Sequence, residues 1–265
     1  MMRVVLAAIA ACVLMSCGGG SSDAPSISRA AGIPRAFGDA DPHEWSGITP
    51  AQYSVHGIDV SKYQGDIDWY RVRGSGVGFA FIKATEGGDY ADERFLDNWA
   101  GASSAGVARG AYHYFYFCRP ALEQAAWFMN HVPRDESALP PVLDLEWTHK
   151  SKTCTLRPDP ATVQREALTF LQAISVYYRK RPVIYTTVDF YQDNRLWELR
   201  GYPFWLRSVA GHPSEVYPGQ AWAFWQYTGT GIVDGIEGLT DLNVFAGTPG
   251  QLGVGSGATT IVAYQ

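Results

Sequence analysis

Leu139-Pro140-Pro141-Val142-Leu143-Asp144-Leu145-Glu146 is an apolar run that closes on two carboxylates set one residue apart. It reads as a buried strand with an acidic end. Side chains alternate across a strand at about 3.3 Å per residue, so Asp144 and Glu146 share a face roughly 6–7 Å apart while Leu143 and Leu145 face the opposite layer. At an effective dielectric of about 20, an ionised Asp144 repels a charge on Glu146 by about 2–3 kcal/mol. That raises the Glu146 pKa by roughly two units, so Glu146 is expected to keep its proton near neutrality. An arbitrary D-x-E more often marks a strand reaching solvent, so the rest of the chain must decide.

Working outward, short apolar runs alternate with helical patterns. Strands are expected at Gly57-Ile58-Asp59-Val60, Gly78 to Lys83, Gly110 to Phe115, Val142-Leu143-Asp144, Val183-Ile184-Tyr185, Phe204-Trp205-Leu206 and Ala223 to Tyr227. Pro120 opens one helix with Leu122, Ala125, Ala126, Met129 and Val132 on a face. Asp159-Pro160 caps another, with Val163, Ala167, Leu171, Ile174 and Tyr178 near a 3.6 period. Weaker helices fit Ile67 to Val72, Glu93 to Ser103 and Phe190 to Leu199. Apolar, non-alternating strands separated by helices imply a parallel sheet covered on its faces, closed at this size into a barrel. The class is α/β: an irregular TIM-like (β/α) barrel with fewer helices in its C-terminal third.

In such a barrel the C-terminal strand ends form the reactive face. The polar residues there are Asp59, Lys83, Glu86, His113, Asp144, Glu146, Tyr185, Arg207, Gln226 and Asp241. Taken singly, Asp59 reads equally as a turn residue and Asp241 as an ordinary loop residue. Together with Asp144 and Glu146 they form a convergent acidic set.

The N-terminus has one positive charge, Arg3, then an apolar run from Val4 to Met15 and small residues after it. That run is short for a membrane span and reads as an export signal over residues 1–16. Leu14-Met15-Ser16-Cys17 resembles a bacterial lipobox. An ordinary secretory signal reads the same up to Ser16, and Gly18-Gly19-Gly20-Ser21-Ser22 favours lipidation because it suits a flexible tether. Residues 17–52 are expected as lipidated Cys17 and tether, 53–247 as the barrel, and 248–265 as a Gly-rich tail. With Cys12 and Cys17 so assigned, Cys118 and Cys154 remain. In an exported protein they are expected to form a disulfide rather than two buried thiols.

A net charge of −5 argues against a nucleic-acid partner. Nine tryptophans within 14% aromatic residues suit a cleft for sugars, whose apolar faces stack on rings. There is no G-x-S-x-G, no H-E-x-x-H and no paired spacing among the histidines, so no metal or cofactor is expected.

Six segments in order resemble glycoside hydrolase family 25, the N-acetylmuramidase lysozymes: Gly57-Ile58-Asp59-Val60-Ser61-Lys62-Tyr63-Gln64-Gly65, Ile82-Lys83-Ala84-Thr85-Glu86-Gly87, Gly110 to Phe115, Asp144-Leu145-Glu146, Trp225-Gln226-Tyr227 and Asp241-Leu242-Asn243. The resemblance runs from His56 to Phe245. It implies cleavage of the β-1,4 bond between N-acetylmuramic acid and N-acetylglucosamine in peptidoglycan. Glu146 becomes the general acid and Asp144 its partner, with Asp59 and Asp241 completing the catalytic set. Tyr63, Tyr112, Tyr185, Trp205 and Gln226 would line the sugar groove, with Glu86 and Trp225 as further substrate contacts. The sequence departs from the family at Trp205-Leu206-Arg207, where a small residue often stands in place of Arg207.

The carboxylate spacing lies between retaining and inverting values and does not decide stereochemistry. The D-x-E pair resembles substrate-assisted glycosidases, in which the acetamido group attacks and an aspartate such as Asp144 orients it. A catalytically silent glycan-binding module is the alternative. The expected partners are peptidoglycan strands and, through Cys17, a membrane. The chain is expected to be a monomer facing the periplasm of a bacterial envelope, a position that favours housekeeping of its own wall.

Overall fold

The computed structural model describes residues 32–148 and 151–252. The expected signal, Cys17 and most of the Gly-rich tail lie outside the described residues. Strands β1 (Gly38–Asp39), β2 (Val55–Val60), β3 (Val77–Glu86), β4 (Tyr90–Ala91), β5 (Ala108–Tyr114), β6 (Val142–Leu145), β7 (Val183–Thr186), β8 (Phe204–Arg207), β9 (Phe224–Ile232) and β10 (Thr240–Phe245) alternate with helices α1 (Trp69–Gly74), α2 (Phe95–Ser104), α3 (Ala121–His131), α4 (Pro160–Tyr178), α5 (Val188–Asp193) and α6 (Pro213–Val216). From β2 through β3, β5, β6, β7 and β8 to β9, each strand pairs parallel to the next. Strand β10 runs antiparallel to both β9 and β2 and closes an irregular eight-stranded barrel. No helix separates β9 from β10, so the C-terminal third is poor in helix as expected.

Alternation divides the apolar residues into two layers. Phe79, Phe81, Val142, Val183, Trp205, Phe224 and Phe245 fill the lumen, with Phe81 stacked on Trp205 at 4.6 Å. Their neighbours Ala80, Ile82, Leu143, Ile184, Phe204 and Leu206 face outward to the helices. Because the lumen is plugged with rings, a cleft at a mouth of the barrel cannot run through it.

Helix α4 starts where Asp159 accepts from Thr162 N and Pro160 occupies the first turn; Val163, Ala167, Leu171 and Ile174 are buried as expected. Helix α3 is turned about its axis relative to expectation. Leu122 is 62% exposed, whereas Gln124 and Phe128 are buried. The cause is polar: the Gln124 amide donates to the carbonyls of Tyr116 and Arg119 and accepts from Tyr116 N and the His113 ring. Satisfying those buried groups outweighs burying Leu122.

The segment expected as tether is also folded from Gly32 onward. Ile33 and Phe37 enter the outer core, β1 pairs antiparallel with Ile232 and Gly231, and Trp45 packs edge-on against Trp225 at 5.2 Å. At the other end Leu252 is buried in the lumen cluster. The Cys118–Cys154 disulfide is present, with Cα atoms 5.7 Å apart, and ties the segment after β6 to the end of β5.

Gly57 faces the lumen, where an added Cβ would lie 2.5 Å from the Phe79 ring. Gly57→Ala is therefore expected to lower unfolding stability by about 1–3 kcal/mol through overpacking. Urea denaturation checks this, and an unchanged midpoint would contradict it.

Candidate active site

The inward positions at the C-terminal ends of the strands line a cleft of about 310 Å³. Asp59 comes from β2, Lys83 from β3, Tyr112 and Tyr114 from β5, Asp144 and Glu146 from β6 and the residue beyond it, Tyr185 from β7, Trp205 and Arg207 from β8, Gln226 from β9 and Asp241 from β10. Tyr63 stands at the lip, 81% exposed, on a short 3₁₀ turn. That turn is capped reciprocally by Ser61 and Gln64.

Asp59 is held by two amides. Gln226 Nε2 donates to Asp59 Oδ2 at 2.9 Å and Asn243 Nδ2 donates to the same oxygen at 2.8 Å. The orientation of both amides is determined from behind, since Trp205 Nε1 donates to Asn243 Oδ1 and the Tyr185 hydroxyl donates to Gln226 Oε1. An indole N–H can only donate, so Asn243 must present its NH₂ to Asp59. Burial raises the Asp59 pKa to about 6 against the lowering effect of these two donors. Asp241 lies directly opposite on the antiparallel β10, beside an irregularity in the β9–β10 register. With burial and the Asp59 charge beside it, its pKa is pushed up to about 8. The two amide donors favour the charge on Asp59, so Asp241 is the member of this pair that holds its proton more firmly.

Across the cleft, burial raises Asp144 well above the carboxylate range, and Glu146 adds to the rise. Its Oδ1 is buried without a hydrogen-bond partner among the described residues. Glu146 is half-buried, and burial raises its pKa against the Tyr114 hydroxyl and Arg207, which lower it. Burial raises both groups and repulsion opposes ionising them together, so the pair retains a proton above the ordinary carboxylate range.

Two cations complete the cleft. Lys83 Nζ is paired with Glu86, which also accepts from the Tyr116 hydroxyl. Glu86 therefore stands behind Lys83 and does not line the cleft, contrary to its expected place among substrate contacts. Arg207 lowers the pKa values of Asp59, Glu146 and Asp241 and has no ion pair among the described residues.

Two further expectations are corrected by strand alternation. Trp225 precedes the inward Gln226 on β9 and so faces outward, packing with Trp45, Tyr53 and His212 while its Nε1 donates to Ser208 O. His113 likewise faces outward between the inward Tyr112 and Tyr114. Thr85 donates to its Nδ1 and its Nε2–H donates to Gln124, the tautomer that satisfies all three groups. Burial lowers its pKa to about 3. Tyr114 was not anticipated, although its place two residues after Tyr112 on the same face is the signal that identifies it.

Asn243→Ala removes a donor from Asp59 and is expected to raise the Asp59 pKa above its value of about 6. Carboxyl-carbon NMR titration measures this directly. A titration of Asp59 indistinguishable from that of the unaltered protein would contradict the network.

Comparison with known proteins agrees with this geometry. The model for glycosyl hydrolases family 25 matches residues 58–236. The chain is 40% identical over 211 residues, 77% of this chain and 74% of its relative, to the uncharacterized protein YegX of Escherichia coli O157:H7. It is 38% identical over 221 residues, covering 77% of this chain and 72% of the relative, to lysozyme M1 of Streptomyces globisporus. The solved family 25 glycosyl hydrolase from Bacillus anthracis superposes with a TM-score of 0.72 at 34% identity, covering 81% of this chain and 98% of that one. The family match and these relatives show that the chain is a glycoside hydrolase and belongs to glycosyl hydrolases family 25.

Proposed function

We propose that the chain is an N-acetylmuramidase that cleaves the β-1,4 bond between N-acetylmuramic acid and N-acetylglucosamine in peptidoglycan. The observation that carries this is the placement of Asp144 and Glu146 together in the cleft, each holding its proton more firmly than a free carboxyl group. The similarity to lysozyme M1 supports the same substrate class.

The chemistry follows from the pair. A sugar acetamido N–H brought to the unpartnered Oδ1 of Asp144 favours the ionised form of that residue, and the retained proton moves to Glu146. Glu146 donates it to the glycosidic oxygen as the C1–O bond breaks. The acetamido oxygen closes on C1 from the opposite face, and Asp144 balances the resulting positive charge. Water then attacks C1 and loses its proton to Glu146, with net retention. Asp59 supplies negative potential to the oxocarbenium-like state from the facing wall, while Asp241 keeps its own proton. Tyr63, Tyr112, Tyr185, Trp205 and Gln226 border the sugar path.

The same proposal places the enzyme at a bacterial envelope, exported by residues 1–16 and tethered through lipid on Cys17. Accumulation of the unprocessed chain in globomycin-treated cells is the expected result, and normal processing would exclude the anchor.

Glu146→Gln is expected to lower dye release from purified sacculi by a factor of about 100 or more without loss of folding. Near-normal release would overturn the assignment, and release by neither form would favour a glycan-binding module. Reducing-end analysis is expected to find muramic acid, and inverted product at early times would exclude the acetamido route. Arg207→Ala removes a cation that lowers the pKa values of Asp59, Glu146 and Asp241, so both limbs of the pH–rate profile are expected to move to higher pH. An unmoved profile would show that Arg207 does not tune the cleft.

A further inference from the structure

We propose that the base of the barrel, the end remote from the cleft, docks onto an anionic lipid surface through Arg179, Arg181 and Arg200. These residues border an open groove of about 600 Å³ formed where α4 ends and where the chain turns into β7 and β8. Strands β7 and β8 begin there, so the groove lies at the opposite end of the strands from the carboxylates.

The three guanidiniums are exposed, and none has an ion pair among the described residues. Of the nearby acids, Asp135 is paired with Arg109 and Glu198 with Arg195 and Gln164, while Glu136 acts on Lys180. Lys180, between two of the arginines, is spent internally, its Nζ donating to the carbonyls of Asp135, Glu136 and Ala138. Like charges gathered in a chain of net charge −5 repel one another and call for an external anion. Arg179 also sits at the C-terminus of α4, where a cation is favourable, but that accounts for one of the three.

Three features favour a lipid surface over a small dissolved anion. The groove is open and its cations are solvent-exposed, whereas a small-anion site would enclose its ligand in converging donors. Val176 lies on the same rim and is 80% exposed, giving the basic-plus-apolar rim that suits a headgroup boundary. Gly32 O accepts from Ala51 N just ahead of β2, so the chain enters the described fold at this same end. Docking by the base would leave the cleft facing away from the surface. A polybasic patch also strengthens attachment by an acyl chain, although the site does not depend on lipid at Cys17 or on the proposed substrate.

The test offers the full chain, unaltered or as Arg179→Glu/Arg181→Glu/Arg200→Glu, a mixture of phosphatidylcholine vesicles and vesicles that also contain phosphatidylglycerol, separated by density. Any leader or lipid inserts into both populations and contributes equally to both chains. The unaltered chain is expected to favour the anionic vesicles by about tenfold or more, a preference lost in the variant and at high salt. Hydrolysis of a soluble glycan fragment should be equal in the two chains, which shows that the variant is folded. Equal distribution of the unaltered chain, or a preference that survives charge reversal, would overturn the proposal. So would saturable binding of inorganic phosphate at the groove without vesicle preference, which would identify a small-anion site.

Discussion

Burial of like charges at the mouth of a closed barrel is the constraint on which this molecule depends. The lumen is filled by Phe79, Phe81, Trp205, Phe224 and Phe245, so the inward positions at the cleft end of each strand are pressed together above an apolar floor. Four carboxyl groups occupy those positions. In that setting they cannot all be ionised near neutral pH, and the protons they retain are the ones that the proposed acid catalysis would use.

Closure by β10 divides the work between two walls. Its antiparallel course sets Asp241 against Asp59, while the chain Tyr185–Gln226–Asp59–Asn243–Trp205 fixes which of the two carries charge. Asp144 has no such support. Its unpartnered oxygen is an unmet demand in the free protein that a substrate N–H can satisfy. One wall is therefore preorganised by protein donors, and the proposed mechanism has substrate complete the other.

Much of the fold was legible because its signals are local. The apolar runs that became β2, β3 and β5 to β9 are too regular to be loops, and Asp159-Pro160 capped α4 as expected. Alternation from Asp144 to Glu146 gave the cleft its first two carboxyls. What the sequence concealed depends on partners distant along the chain. The residues from Gly32 to Gln52 look like linker because their order comes from β9 and Trp225. The rotation of α3 follows from Gln124 serving His113, and burial, the largest cause of the raised pKa of each member of the acidic pair, is a quantity that no spacing reports. Trp225, by contrast, could have been excluded from the groove from its position beside Gln226 alone.

The most direct test of the acidic pair is a site-resolved carboxyl-carbon NMR titration of Asp144 and Glu146 in the free enzyme. One proton shared between them should persist near neutral pH. Complete ionisation of both groups within the ordinary carboxylate range would contradict the account.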